Sequence, residues 1–323
     1  MRLIPFIFAS LLFQISNAQA YERVEAQEIR LLVDYLASDA LKGRETATSE
    51  EFLAAQFIQS KFIESGIKPY FKTYMDSFKY RGGKGFNVVG FIEGNDVKLK
   101  NEIVLIGAHY DHLGLKRSIG SDSIANGAND NASGTAAVLA IAKRMAQQGT
   151  NRRSLVIALF SGEEKGLLGS KDLAKKLKDQ NIDLYTMLNF EMLGVPFTDR
   201  NYEVFLTGYG LSNLGAKLNT YTNSQMVGSS EVAAKHGLFK RSDNYPFYKK
   251  FKAPCHTISS CDLTNFDYYH HVDDEIDKLD FNFMATFINK LIPGIVDICN
   301  TNSKEIQMYE TSMLKRESSK KND

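Results

Sequence analysis

Cysteine is scarce in this chain: three residues in 323, Cys255, Cys261 and Cys299. That excludes a disulfide-stapled scaffold and leaves a hydrophobic core to hold the fold. One bridge is still permitted in an oxidising compartment, and Cys255 with Cys261 is the pair expected from their closeness in sequence; three buried thiols is the competing reading. An excess of one charge is lacking too, since 39 Lys and Arg face 38 Asp and Glu for a formal net charge of +1. No whole-protein field therefore draws nucleic acid or anionic lipid. Long apolar runs are absent beyond the first residues, and Leu3 to Ile15 falls short of the roughly 20 residues a spanning helix needs. No membrane span is expected. Internal repeats and low-complexity linkers are also missing, so one domain over residues 21–300, a monomer, is the expectation. The polar stretch 301–323 reads as a solvated tail.

What is present begins at the N-terminus. Met1-Arg2, the apolar stretch and Ala18-Gln19-Ala20 have the form of a secretory signal peptide over residues 1–20. No cysteine follows the small-x-small site, so a lipid anchor is not indicated, and the expected location is periplasmic or secreted.

Hydrophobic periodicity then sets the fold class. Ile29, Leu32, Val33 and Leu36 recur at helix spacing, and Phe52, Ala55, Phe57, Ile58 and Phe62 repeat the pattern before Gly66. Between them Leu36 to Arg44 reads as a capped loop. Short β-rich runs follow at Asn87 to Ile92, Ile103 to Ala108, Leu155 to Phe160 and Leu184 to Phe190, alternating with helices predicted over 133–148 and 170–178. This predicts α/β architecture: a single three-layer domain with a mixed, mostly parallel central sheet and helices on both faces. The runs at 103 and 155 are continuously apolar, as strands buried on both faces must be.

The polar residues that interrupt this pattern sit at strand ends. In open α/β sheets ligands bind beyond the carboxyl ends of strands, where His109, Glu163, Glu164 and Glu191 would fall. Asp111 lies two residues from His109 and is placed to orient its imidazole. His112 is read as a neighbour without a metal role. Asp130, in Asn129-Asp130-Asn131, either caps the following helix or offers two oxygens to two cations. Adjacent Glu163 and Glu164 would repel at a buried strand end unless a cation compensates, so one is expected to ligate and the other to take a proton. One of His270 and His271 completes the set. Five ligands with one bridging suit two ions roughly 3.5–4 Å apart. Imidazole and carboxylate donors without thiolate favour zinc, two ions per chain.

In this order the motifs resemble the M28 family of zinc-dependent aminopeptidases. The resemblance is carried by Leu36-Ala37-Ser38-Asp39 with Gly43-Arg44, Gly107 to Gly114, Asn129 to Gly134, Phe160 to Glu164 with Gly166-Leu167 and Gly169-Ser170, Arg241-Ser242-Asp243 with Pro246-Phe247, and His270 with Asp274 and Asp277-Lys278. It implies that His109 and Glu191 hold one zinc, Glu164 and His270 the other, and that Asp130 bridges them. Glu163 would be the general base and Asp111 the orienter of His109. Three positions depart from the family pattern: Glu191 stands for an aspartate, Asn244 for a histidine and Val272 for a proline.

The function so implied is removal of N-terminal residues from peptides with a free N-terminus. A single-zinc acyltransferase of the glutaminyl cyclase type shares the scaffold and is the alternative enzyme. A binding ectodomain that has lost its chemistry is the third reading, although here no ligand and no base is missing.

Overall fold

The computed structural model describes residues 22–119 and 122–310. The expected leader, 1–20, and residues 311–323 of the expected tail lie outside the described residues.

In chain order the elements are α1 (Ala26–Leu36), α2 (Ser49–Glu64), β1 (Lys68–Pro69), β2 (Met75–Tyr80), β3 (Gly83–Ile92), β4 (Glu102–His109), β5 (Gly114–Ile119), β6 (Asp122–Ala125), α3 (Gly134–Gln148), β7 (Ser154–Phe160), α4 (Leu168–Asp179), β8 (Asp183–Phe190), β9 (Val204–Leu206), α5 (Leu214–Tyr221), β10 (Val227–Gly228), α6 (Glu231–Lys235), α7 (Asn244–Phe251), β11 (Cys255–Ser259) and α8 (Phe281–Asn300). One sheet runs β1-β3-β7-β4-β8-β11-β9-β10, with β2 also paired to β3. Its centre, β7-β4-β8-β11, is parallel. The flanks turn antiparallel where β3 joins β7 and β9 joins β11.

Alternation of side chains assigns each central strand to two cores. Val104, Ile106 and Ala108 of β4, with Leu155, Ile157 and Leu159 of β7, pack beneath α1, α2, α3 and α8. Ile103, Leu105, Val156, Ala158 and Phe160 face the other way, toward α4 and α7. Every residue of β7 is buried. The continuous apolar runs in the sequence are thus the cost of covering both faces of a parallel sheet. Among the described residues no helix is long and apolar enough to cross a membrane.

Two expectations are corrected. Cys255, Cys261 and Cys299 are all free and buried. Cys255 opens β11 and Cys261 lies beyond its end; a strand rising about 3.3 Å per residue separates them by more than the roughly 7 Å a bridge spans. Residues 301–310 are docked in part, although five of the ten are exposed. Ile306 is buried, its N–H donates to the Tyr185 hydroxyl at 2.9 Å, and Met308 forms a bridge with Ser212.

Buried charge in the N-terminal layer ties it to the strand ends. The segment after α1 is a 3-10 turn, Asp39–Arg44, and it ends on a fully buried guanidinium. Arg44 donates to the carbonyls of Tyr110 (2.7 Å), Asn126 (2.7 Å), Gly127 (3.0 Å) and Leu36. The loop after β4 and the loop after β6 are therefore held by one side chain. Replacing Arg44 by Ala strands these acceptors at about 1–3 kcal/mol for each one left unsatisfied, read as a lower urea midpoint at unchanged slope. Arg44→Lys should not restore it, because an ammonium lacks the fork that reaches several carbonyls.

Glu51, on α2, is also fully buried. It accepts from the Ala47 N–H at 2.7 Å, and its other oxygen lies 3.3 Å from the Tyr110 hydroxyl. Burial pushes its carboxyl up to about 8, and the nearby Asp111 charge adds to this against its hydrogen bonds. A carboxyl raised in the folded state stabilises fully below its unfolded pKa near 4.5 and loses that contribution as pH rises through 8. Wild-type stability should therefore fall between pH 5 and pH 8 relative to Glu51→Gln, the gap widening with pH. Parallel denaturation profiles for the two proteins would discard this account.

Candidate metal centre

The parallel strands deliver their carboxyl ends to one edge, where the polar interruptions of the sequence meet. His109 ends β4, in register with Phe160 at the end of β7. Glu163 and Glu164 lie in the turn after β7, Glu191 follows β8 directly, and His270 lies in the loop beyond β11. Asp130 comes from the wide turn Ala128–Ser133 that leads into α3.

That turn is fixed by its own polar residues. Asn131 donates to the Phe190 carbonyl at 2.9 Å and accepts from the Gly134 and Met192 N–H groups at 3.0 Å each. Asn129 accepts from the Gly194 N–H at 2.9 Å, and the Ser133 hydroxyl from that of Leu193 at 2.9 Å. Asp274 accepts from the N–H groups of Asn129 (2.7 Å) and Asp130 (2.9 Å). The Asn-Asp-Asn motif thus pins Asp130 against the loop that carries Glu191. It is a positional lock more than a helix cap.

Around Asp130 the donor atoms converge. One carboxylate oxygen lies 3.3 Å from His109 Nε2 and the other 3.3 Å from His270 Nε2. His270 Nε2 is also 3.2 Å from Glu164 Oε1. His271 points elsewhere, with Nδ1 3.3 Å from Asp273. His109 Nε2, His270 Nε2 and Glu164 Oε1 are all buried without a hydrogen-bond partner. Buried donors and acceptors left in this state cost about 1–3 kcal/mol each, and a cation between them removes that cost. The donor set fits metal. It contains imidazole and carboxylate only, and the one nearby thiol, Cys261, is pushed up to about 12 by burial.

Behind His109 two groups of Asp111 face the imidazole, and against its burial the Asp111 charge favours its protonated form. Its Nδ1 lies 3.1 Å from the main-chain carbonyl of Asp111, whereas the Asp111 carboxylate is 3.7 Å away, beyond hydrogen-bond reach. The carbonyl is the nearer contact of the ring, and the carboxylate serves the neighbouring turn as well. It accepts from the Thr46 hydroxyl at 2.8 Å and from the Glu163 N–H at 3.2 Å.

Electrostatically the site is a crowd of carboxylates. Burial, and then repulsion from Glu191, Asp243 and Glu164, raises the Glu163 carboxyl well above its usual range against the attraction of His109. Burial with the Asp130 and Glu164 charges likewise raises Glu191. Burial opposes ionisation of Asp130 and Glu164 as well, but their histidine contacts outweigh it. Asp130 is held well below the usual range and Glu164 near 2. The carboxylates open into a cavity of about 370 Å³. Its apolar wall includes Met192, Phe205, Leu238, Leu263 and Tyr269, and Lys171, Lys240 and Arg241 bring cationic groups.

The structure also places groups at the site to which sequence reasoning gave no role. His112 and Asp243 are fully buried beside it, and Asp243 is pushed up to about 7 by burial and by Asp111 and Glu191. Asp274, seen in the sequence only as part of a family-like stretch, positions Asp130. Buried polar identity does not show in a loop sequence that lacks periodicity.

Comparison with known proteins gives concordant matches. The model of Peptidase family M28 matches residues 87–292. The chain is similar to a probable leucine aminopeptidase of Trichophyton verrucosum, 34% identical over 211 residues that cover 62% of this chain and 52% of that protein. It thus spans about half the length of that curated relative. Among solved structures it is similar to a zinc aminopeptidase from Bacillus subtilis, with TM-score 0.68 at 13% identity over 88% of this chain and 98% of that one. It is also similar to Porphyromonas gingivalis glutaminyl cyclase, with TM-score 0.64 at 16% identity over 85% and 99%. At these identities the two structures establish a shared fold and nothing finer.

Proposed function

The chain belongs to peptidase family M28, and from that premise we propose that it is an exported aminopeptidase with two zinc ions and Glu163 as general base. His109 and Glu191 would hold one ion, His270 and Glu164 the other, and Asp130 both. The observation that carries this reading is Asp130, whose two oxygens face two different histidines at 3.3 Å each. A carboxylate serving one ion needs no such divided approach.

When bound, the ions supply Lewis-acid polarisation of a scissile carbonyl and lower the pKa of the attacking water. Glu163 takes the water proton on a carboxylate oxygen and returns it to the leaving amine. Its backbone is set for this by the Asp111 carboxylate, which accepts from the Glu163 N–H. A free α-ammonium finds counter-charge in the acidic floor of the cavity, which a blocked N-terminus does not need and cannot use. The apolar wall around Met192, Phe205 and Leu238 suits an N-terminal residue with an aliphatic or aromatic side chain. Glu191 supplies the same donor as an aspartate through one more methylene, which supports a looser hold on its ion. Export rests on the reading of residues 1–20 as a leader, and N-terminal sequencing of the secreted protein tests it, a start near Tyr21 being expected.

A panel of aminoacyl amides and their N-acetylated counterparts, run with chelator and with zinc restored, tests the activity. Cleavage of unblocked apolar substrates alone, lost with chelator and regained with zinc, is expected. Glu163→Gln should keep its zinc and lose about 10²–10⁴-fold in kcat; undiminished turnover would remove Glu163 as the base. Cyclisation of N-terminal glutamine at one zinc per chain would instead identify a glutaminyl cyclase.

A further inference from the structure

His112 is fully buried at the centre of the site, yet the two-ion reading gives it no task. Its Nδ1 lies 3.1 Å from Glu164 Oε1 and 3.9 Å from Asp130 Oδ2. His270 Nε2 approaches the same two oxygens, at 3.2 Å and 3.3 Å. Two imidazoles thus approach one pair of carboxylate oxygens. Tetrahedral zinc with bonds of about 2.0–2.1 Å sets its donors roughly 3.3–3.4 Å apart, close to three of these four separations.

We propose that His112 Nδ1 is a fourth protein donor to the ion held by Asp130, Glu164 and His270. This inference rests on the two-ion reading of the site. A hydrogen bond that merely steadies Glu164 is the competing role, and the number of imidazoles on the bound ion separates the two. What favours ligation is that His112, Asp130 and Glu164 each bring a donor atom within 4.8 Å of the other two, the grouping a metal ion needs. The ring is also held in place. A Cβ on Gly127, which has φ of +58°, would come within 2.5 Å of two carbons of the His112 ring, so this glycine leaves room for the imidazole. The His112 N–H donates to the Arg44 carbonyl at 3.3 Å, which fixes the backbone beneath it.

The two positions then differ in kind. One would have four protein donors, two imidazoles and two carboxylates, the number structural zinc sites have, although its Glu164 and His270 also line the cavity. The other has His109, Asp130 and Glu191 and keeps room for water or substrate. The four-donor position is the anchor, filled first and released last.

The metal-free protein loaded with one equivalent of zinc provides the test, by X-ray absorption at the zinc edge. Two imidazoles per zinc are expected in the wild type and also in His109→Ala, which lacks the histidine of the open position. One imidazole per zinc in the wild type, with zinc fully taken up, would overturn the proposal and leave the two-ion reading intact. Failure to bind zinc at all would overturn both. In chelator competition His112→Ala should hold its first zinc at least about tenfold more weakly, with the imidazole count falling to one. Retained affinity with an unchanged count would also overturn the proposal. The wild-type measurement decides even where that variant does not fold.

Discussion

Repulsion among buried carboxylates is the constraint around which this molecule is organised. Asp130, Glu163, Glu164, Glu191 and Asp243 are brought to one strand edge, and each is desolvated there. Gathering like charges in a poorly solvated pocket costs several kcal/mol per ion without compensation. The three nearby histidines offset part of this through Asp130 and Glu164. Glu163 and Glu191 remain raised, so the cluster is balanced only when further positive charge arrives. Divalent cations supply it, and the protein's part is to keep the donors in place until they do.

That part is played by polar groups in the loops. Asn129, Asn131 and Ser133 bond the N–H groups of 192–194, and Asp274 bonds those of 129 and 130. Arg44 holds the carbonyls of Tyr110, Asn126 and Gly127 from beneath. These contacts link loops far apart in sequence without using any ligand atom. Metal-binding side chains are thereby positioned by residues that need never touch metal, and a site of this kind is rigid because its supports are bonded to backbone.

Much of this was legible in the sequence, and the reason is periodicity. β4, β7 and β8 are continuously apolar because both faces are covered, so their ends stand out where His109, Glu163 and Glu191 break the run. The three-layer class and the edge where the site lies follow from that pattern. β11 was not recognised, since Cys255-His256-Thr257-Ile258-Ser259 is short and half polar. His256 and Thr257 are buried there because Thr207 accepts a hydrogen bond from each, through its carbonyl and its hydroxyl, which no local pattern announces. Leu36 to Arg44 read as an ordinary loop for the same reason. Three of the four partners of Arg44 lie 66 to 83 residues away, at Tyr110, Asn126 and Gly127. The tail after Thr301 looked solvated because one buried Ile306 carries too little signal against its charged neighbours.

His112 and Glu191 bear on one question, how the two positions share the work. In the proposed two-ion reading a bridging carboxylate would give each ion one oxygen, so neither would gain an advantage from Asp130. The difference arises from what else is at hand. On the His270 side two rings face the Asp130 and Glu164 oxygens, and His112 packs against Gly127, where a side chain would meet both the Asp130 carbonyl and the His112 ring. On the His109 side there is one ring, steadied by a main-chain carbonyl, and a glutamate on a longer stem that must give up more rotamer freedom to ligate. Every one of these differences favours the same position. A longer arm on the weaker side costs affinity but gives that carboxylate latitude to move as charge develops, so the departure at Glu191 is better understood as a division of labour than as decay of the site.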